Sequence, residues 1–118
     1  MIFKRACERG ILFRFNGDKF AGYSFSIAPG GTYALSLLQG DTAKNLASGP
    51  SSAIKTGFYQ TNLIAVMANG SRLYLYVNKQ FVTSVSESTF HSGQIGVQAT
   101  ENALPTEVVF QHAQVWQI

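Results

Sequence analysis

Apolar and polar positions alternate through much of this chain, most clearly between Asn62 and Val82, NLIAVMANGSRLYLYVNKQFV. A period of two is typical of β-strands, because successive side chains point to opposite faces. Two short turn signals interrupt the pattern, Asn69-Gly70 and the weaker Asn78-Lys79. Asn and Gly tolerate the positive φ angles that a tight type I′ hairpin requires. The stretch therefore predicts three consecutive antiparallel strands, at Asn62–Ala68, Arg72–Asn78 and Gln80–Val85.

The middle strand of this stretch has two different faces. Its aliphatic positions are Leu73, Leu75 and Val77. The positions that alternate with them are Arg72, Tyr74, Tyr76 and Asn78. Alternation sends the first set into a core and the second set outward. We therefore expect one layer of a sandwich whose outer face carries aromatic and polar groups.

The same period predicts strands elsewhere in the chain. They cover Ile2–Cys7, Gly10–Phe15, Gly22–Ala28, Thr32–Leu38, Gln94–Ala99 and Glu107–Trp116. We expect the core to receive Ile11, Phe13, Phe15, Ile95 and Val97. The longest stretch without alternation, Gly40 to Thr61, is expected to pack as it crosses between sheets, and its short Asp41–Ala47 segment is the one helical candidate. The chain as a whole is predicted to be all-β.

Composition predicts a single domain over residues 1–118 with a weakly charged surface. Charged residues make up 13% of the chain, against 46% hydrophobic residues. This is about half the usual charged share of soluble domains. The polar surface must then come from Ser, Thr, Asn, Gln and Gly. Such a surface suits neutral, hydroxyl-rich partners such as glycans, and it is also typical of many β-sandwiches without that function.

The distribution of charge excludes nucleic acid as a partner. The net charge is +3, but Lys4, Arg5 and Arg9 lie near the start and the other basic residues are scattered. A nucleic-acid surface needs a basic stripe interleaved with stacking aromatic residues. No apolar run reaches transmembrane length, and residues 1–10 lack the apolar stretch of a secretory signal. We expect no membrane partner, and the compartment stays open.

The acidic residues argue against an enzyme. Glycoside hydrolases need two carboxylates that flank the scissile bond. The six acids of this chain never occur at i, i+2 or i, i+4, so one strand cannot present a pair, and only pairing across strands could bring two together. His91 and His112 are not accompanied by a G-x-S-x-G motif, so no serine nucleophile is indicated. We predict no catalytic residues.

The sequence contains few residues that could form a disulfide or bind a metal. Cys7 is the only cysteine, so it forms no disulfide within the chain, and we interpret it as a small packing residue. Two histidines without clustered acids make a poor transition-metal site. We predict no metal and no cofactor. Calcium is left open, with Asp18 and Asp41 as the loop aspartates to test.

An ordered set of blocks resembles a known superfamily. The blocks are GILFRF at 10–15, GYSFSI at 22–27, GTYAL at 31–35, the stretch 62–82, SGQIGVQA at 92–99, VVF at 108–110 and VW at 115–116. In this order they resemble the concanavalin A-like and laminin-G-like jelly-roll superfamily, especially bacterial glucanase-like or laminin-G-like modules. The resemblance implies a two-sheet antiparallel β-sandwich. It also implies an extracellular, lectin-like role and, in laminin-G-like modules, calcium held by loops.

Modules of this kind usually have further strands before the block that begins at Gly10. Only nine residues precede Gly10 in this chain. We therefore expect uncovered sheet edges, which favour pairing with a second chain. A homodimer or a strand exchange through these edges is the resulting prediction.

The candidate ligand-binding residues are Arg14, Tyr74, Tyr76 and Gln98. Alternation places each of them outward, and the resemblance implies that they share the concave face of one sheet. Tyrosine rings can stack on a sugar while arginine and amide groups bond its hydroxyls. The competing interpretation is cross-strand pairing without a ligand. We predict a non-catalytic, carbohydrate-binding module, with a structural or protein-interaction module as the alternative and a glycoside hydrolase as the least favoured function.

Overall fold

The computed structural model describes residues 2–3, 9–57 and 62–99, and every regular element in these ranges is a β-strand. The strands are β1 (Ile2–Phe3), β2 (Arg9–Asn16), β3 (Ala21–Ile27), β4 (Thr32–Gln39), β5 (Thr42–Pro50), β6 (Asn62–Asn69), β7 (Arg72–Val77), β8 (Gln80–Ser86) and β9 (Gln94–Ala99). No helix long and apolar enough to cross a membrane occurs in these ranges. The predicted all-β class is confirmed.

The strands form two sheets that face each other. One sheet has the order β5-β4-β3-β2-β9, and the other has the order β1-β6-β7-β8. All neighbouring strands are antiparallel. This confirms the predicted two-sheet β-sandwich.

The alternation predicted most strand positions correctly and one segment wrongly. Seven predicted strands agree with β2, β3, β4, β6, β7, β8 and β9 to within one residue at each end. The expectation for Gly40–Thr61 is wrong over residues 42–50, because β5 occupies them and pairs with β4. It is confirmed for Ala53 and Ile54, which are buried in the core where the chain passes from one sheet towards the other. The side chains of β5 are mostly exposed, so burial imposes no apolar period on them. The helical candidate Asp41–Ala47 is therefore a turn and an edge strand.

The structure describes only part of the strands that were predicted near the two ends of the chain. Of the predicted strand Ile2–Cys7, the structure describes Ile2–Phe3 as β1, which pairs with β6. The predicted strand Glu107–Trp116 lies outside the described residues.

The core lies between the sheets and receives one face of each long strand. Leu73, Leu75 and Val77 of β7 are fully buried, as predicted. From β2 and β3 the core receives Ile11, Phe13, Tyr23, Phe25 and Ile27, and from β4 it receives Leu35 and Leu37. Burial of this much apolar surface is the main term that holds the two sheets together.

Two of the expected core positions differ in the structure. Phe15 is half-buried, and Ile95 is 51% exposed. The pairing of β2 with β9 shifts register between Leu12 and Phe15, so alternation cannot be carried across this point. In the described part of the chain, β9 is also the outermost strand of its sheet. The prediction that Ile95 packs inward is therefore wrong.

The two tight turns differ in type from what the sequence predicted. Asn69 pairs with Arg72, so the central residues of the first turn are Gly70 and Ser71, with positive φ at Gly70. A positive φ at the first central residue is the pattern of a type II′ turn. In the second turn both Asn78 and Lys79 have positive φ, at 52° and 67°. The weaker sequence signal is therefore the one with type I′ geometry.

Asn78 does not point outward with the tyrosines. Its amide nitrogen donates to the Ala53 carbonyl at 2.8 Å and to Asn62 Oδ1 at 2.9 Å, and its Oδ1 accepts from Leu63 N. Asn62 is 5% exposed and bonds both N and O of Lys55. Buried amides are stable when bonded in this way. The two side chains fasten the segment after β5 to the β7–β8 turn.

Candidate functional site

The four predicted ligand-binding residues belong to different sheets. Tyr74 and Tyr76 lie on β7 of the four-stranded sheet, whereas Arg14 lies on β2 and Gln98 on β9 of the five-stranded sheet. The outer faces of a sandwich point in opposite directions. The prediction that all four share one face is therefore wrong. A ligand contact by any one of them remains a prediction.

Arg14 fastens the two sheets together. It lies at the β2 irregularity with a positive φ of 47°. Its Nη1 donates to the carbonyl of Gly70, at 2.8 Å, and to that of Phe90, at 3.1 Å. Gly93 lies so close that a Cβ there would collide with the Arg14 backbone. The guanidinium therefore holds the β6–β7 turn and the segment after β8, and sequence alternation alone could not show this.

The outer face of the five-stranded sheet is built mainly from small residues. The backbone of Gln98 in β9 lies opposite Gly10 of β2, and the side chain of Gln98 is outside the described part of the structure. We call this surface the small-residue face. It consists mainly of Gly10, Gly22, Ser24, Ser26, Ala34 and Ser36, with Leu12 opposite Ser24 and Leu38 opposite Gly22. At its centre Ser24 is only 6% exposed. The centre of the small-residue face is therefore not open to a ligand.

The outer face of the four-stranded sheet is different in character. We call it the tyrosine face, and it consists of Ala65, Met67, Arg72, Tyr74, Tyr76, Phe81, Ser84 and Ser86. In the register of the sheet, Tyr74 lies between Met67 and Ser84, and Tyr76 lies between Ala65 and Phe81. The buried positions of β7 alternate with its two tyrosines, so both rings stand on the solvent side. The outward orientation predicted for Tyr74 and Tyr76 is confirmed.

The rings of the tyrosine face contact one another and a cation. Tyr76 and Phe81 meet edge to face, with ring centroids 5.8 Å apart and an interplanar angle of 69°. The Cζ atom of Arg72 lies 5.9 Å from the centroid of the Tyr74 ring. Two hydroxyls orient this guanidinium, because Nη1 donates to Ser86 Oγ at 2.9 Å and Nη2 to Ser84 Oγ at 3.4 Å. The face thus joins one exposed ring and two half-buried rings to an oriented cation.

Phe81 belongs to this face although alternation within β8 predicts the opposite. Val85 packs against the core, and a regular period of two would send Phe81 there as well. The register shifts between Leu75 and Tyr76, which makes Val82 the extra residue. Phe81 therefore lies opposite Tyr76 and is 57% exposed. No pattern in the sequence indicates such a bulge, so the position of Phe81 could not be predicted. Arg72 could be assigned to the tyrosine face, because it alternates with the buried positions of β7 as Tyr74 does.

A second polar group lies inside the sandwich. Tyr23 is fully buried; its hydroxyl donates to Glu87 Oε1 at 3.3 Å and accepts from Phe90 N at 3.1 Å. The same Glu87 oxygen accepts from the backbone N–H and the hydroxyl of Thr89. Burial raises the pKa of Tyr23, while the Thr89 hydroxyl bond lowers the pKa of Glu87. We interpret this group as a structural tie, because a single carboxylate does not make an acid and base pair.

The residues considered for calcium are exposed turn residues. Asp18 lies between β2 and β3, and Asp41 lies between β4 and β5. Within the described ranges, no group of three His, Cys, Asp or Glu side chains comes together as a metal site would require.

Comparisons with known proteins give one informative result. No protein-family model matches the chain, and no curated protein matches it. Among solved structures, the carbohydrate-binding module CBM66 from Bacillus subtilis is similar in fold, with a TM-score of 0.73 and 17% sequence identity. The similarity covers 81% of this chain and 62% of that module. It supports the β-sandwich fold, while the narrower concanavalin A-like and laminin-G-like relationship remains a prediction.

Proposed function

We propose that this chain is a non-catalytic carbohydrate-binding module whose ligand lies on the tyrosine face. The observation that carries the proposal is the platform formed by exposed Phe81 and the half-buried rings of Tyr74 and Tyr76, beside the guanidinium of Arg72. Exposed aromatic residues on a sheet face are costly unless they serve packing or recognition.

The chemistry of the face suits a sugar. The C–H surface of a pyranose packs on an aromatic ring, and its hydroxyls need donors and acceptors at the rim. Phe81 supplies the most exposed ring, and Arg72, Ser84 and Ser86 supply polar groups at one end. Positions i and i+2 of a strand are about 7 Å apart. Tyr74 and Tyr76 therefore offer successive contacts to an oligosaccharide laid along β7.

The fold likeness to CBM66 is consistent with this proposal, because that structure is a carbohydrate-binding module. One fold serves many functions, so the side chains of the tyrosine face carry the proposal.

A glycan-array screen tests the proposal. Purified protein is compared with the double variant Tyr74→Ala/Tyr76→Ala, and with Phe20→Ala as a matched control. Phe20 is an aromatic residue that is 54% exposed outside the tyrosine face. We expect selective signals that the double variant loses and the control keeps. A blank array from folded protein, or an equal loss in the control, would contradict the proposal.

A second candidate, a protein-interaction module, is favoured by one observation. On the five-stranded sheet, Phe20 and Ile95 are both more than half exposed, and Phe20 packs edge to face on Phe15. Under this alternative two copies associate through β9. Sedimentation of wild-type protein and Ile95→Lys would test it: we expect a dimer that the charge disrupts, and monomeric wild-type protein at high concentration would refute it.

A further inference from the structure

Among its described residues, the tyrosine face carries a cation and no carboxylate to neutralise it. Glu87 is the only acidic residue between positions 62 and 99. It follows the outward residue Ser86, and its carboxylate turns inward to Tyr23 and Thr89. At the other end of β7, Lys79 is exposed in the turn before β8. Within the described strands that build this face, the fixed charge is therefore positive.

Arg72 is oriented for a planar anion. Its Nη1 and Nη2 each donate one hydrogen bond to a serine hydroxyl, and its Cζ lies 5.9 Å from the Tyr74 ring centroid. A guanidinium has more N–H donors than these two bonds use, and they form a rigid fork that matches a carboxylate. Because neutral partners already hold the group in place, a ligand carboxylate would bind it without first breaking an ion pair.

We propose that the tyrosine face recognises an acidic oligosaccharide, with the carboxylate of a uronic acid unit bound by Arg72 and the following sugars packed on Tyr74, Tyr76 and Phe81. This inference rests on the proposed carbohydrate-binding function and adds the class of its ligand. The order of residues along β7 sets the direction in which the oligosaccharide lies, since the cation and the Tyr76–Phe81 pair lie at opposite ends of the strand.

The test compares sugars that differ only in charge. Oligomers of galacturonate, glucuronate and mannuronate are titrated by calorimetry beside their methyl esters, which keep the ring and neutralise the carboxylate. We expect at least one acid to bind at least tenfold more tightly than its ester. The affinity for that acid should fall as salt is added, because the paired charges are solvent-exposed.

Variants assign the effect to Arg72. Arg72→Gln should abolish the preference for the acid while leaving the weak affinity for the ester, and Arg72→Lys should keep only part of it, because lysine lacks the planar fork. Lys19→Gln, an exposed cation in the β2–β3 turn, is the matched control and should change nothing.

The outcomes separate the two proposals. Equal binding of acid and ester, both lost in Tyr74→Ala/Tyr76→Ala, would overturn the acidic ligand and leave the carbohydrate-binding function standing. An equal effect of Arg72→Gln and Lys19→Gln would overturn the role of Arg72 in favour of general charge attraction. If neither the acids nor a panel of neutral glycans bind, both proposals fail.

Discussion

The two outer faces of the sandwich both arise from alternation along their strands, but their side chains differ in size and in exposure to solvent. The tyrosine face presents side chains that stand in solvent, such as Phe81 at 57% exposed. The small-residue face buries its centre, where Ser24 is 6% exposed. Outward orientation along a strand therefore does not make a residue accessible. Of these two surfaces, only the tyrosine face offers exposed rings to a ligand.

Close packing accounts for the two glycines of the small-residue face. A Cβ on Gly10 would lie 2.5 Å from the Phe25 carbonyl oxygen, and a Cβ on Gly22 would lie 2.7 Å from Phe15 Cα. Side chains at these positions would force neighbouring backbones apart. Gly10 and Gly22 are thus constrained by the assembly of their own sheet.

The largest expected effect distinguishes the two arginines. Arg14→Ala should lower the free energy of unfolding by about 1.5–3 kcal/mol, because the part-buried Phe90 carbonyl loses a charged donor that also bonds Gly70 of the other sheet. Arg72→Ala should cost less than about 1 kcal/mol, because its bonds to serine hydroxyls are exposed. Urea denaturation measures both. Equal costs would mean that Arg14 is not a tie between the sheets.

A second pair of variants tests the two faces directly. Ser24→Leu should destabilise the protein by about 1–3 kcal/mol, since the buried centre of the small-residue face has no room for the added carbons. Ala65→Leu, on the exposed tyrosine face, should change stability by no more than about 0.5 kcal/mol. Thermal unfolding of the two variants checks this. Tolerance of leucine at both positions would remove the distinction between the faces.

Removing one ring should affect binding more than folding. Under the proposed function, Phe81→Ala lowers glycan affinity about threefold to tenfold, or about 0.7–1.4 kcal/mol, because the ligand loses one exposed ring. Ser26→Ala, on the small-residue face, should leave the affinity unchanged. Titration calorimetry with a ligand from the array measures both. A reversed order of effects would move the site to the other face.

The smallest effect concerns pH and the Tyr23–Glu87 tie. Because the folded protein holds the pKa of Glu87 below its usual value, this carboxylate stabilises the fold above the unfolded pKa, and the contribution is lost as the pH falls through the lowered one. The raised pKa of Tyr23 acts at the alkaline end, where its contribution is lost as the pH rises through that pKa.

Unfolding midpoints of wild type and Glu87→Gln measured between about pH 5 and pH 2 would show the acid effect. We expect the wild-type midpoint to fall more steeply than that of the variant, which cannot ionise. Parallel curves would show that Glu87 makes no such contribution.

The sequence supported the fold more fully than the site, for a physical reason. Burial on one side imposes a period of two, so the faces of β7 and the bounds of most strands could be predicted. Exposed β5 carries no such period. The division of Arg14 and Tyr74 between sheets depends on strand order, and the place of Phe81 depends on a bulge. Both are set by long-range pairing, which local alternation does not encode.

The tyrosine face is drawn from one uninterrupted stretch of chain. Its three strands, β6, β7 and β8, follow one another through two tight turns, whereas the five-stranded sheet must bring β9 back to β2 near the other end of the described chain. Neighbouring strands of this kind form with a small loss of chain entropy. Under the proposed function, substitutions within this single short segment of the gene would therefore be enough to change the ligand preference, and the rest of the sandwich can serve as a fixed scaffold for engineered variants.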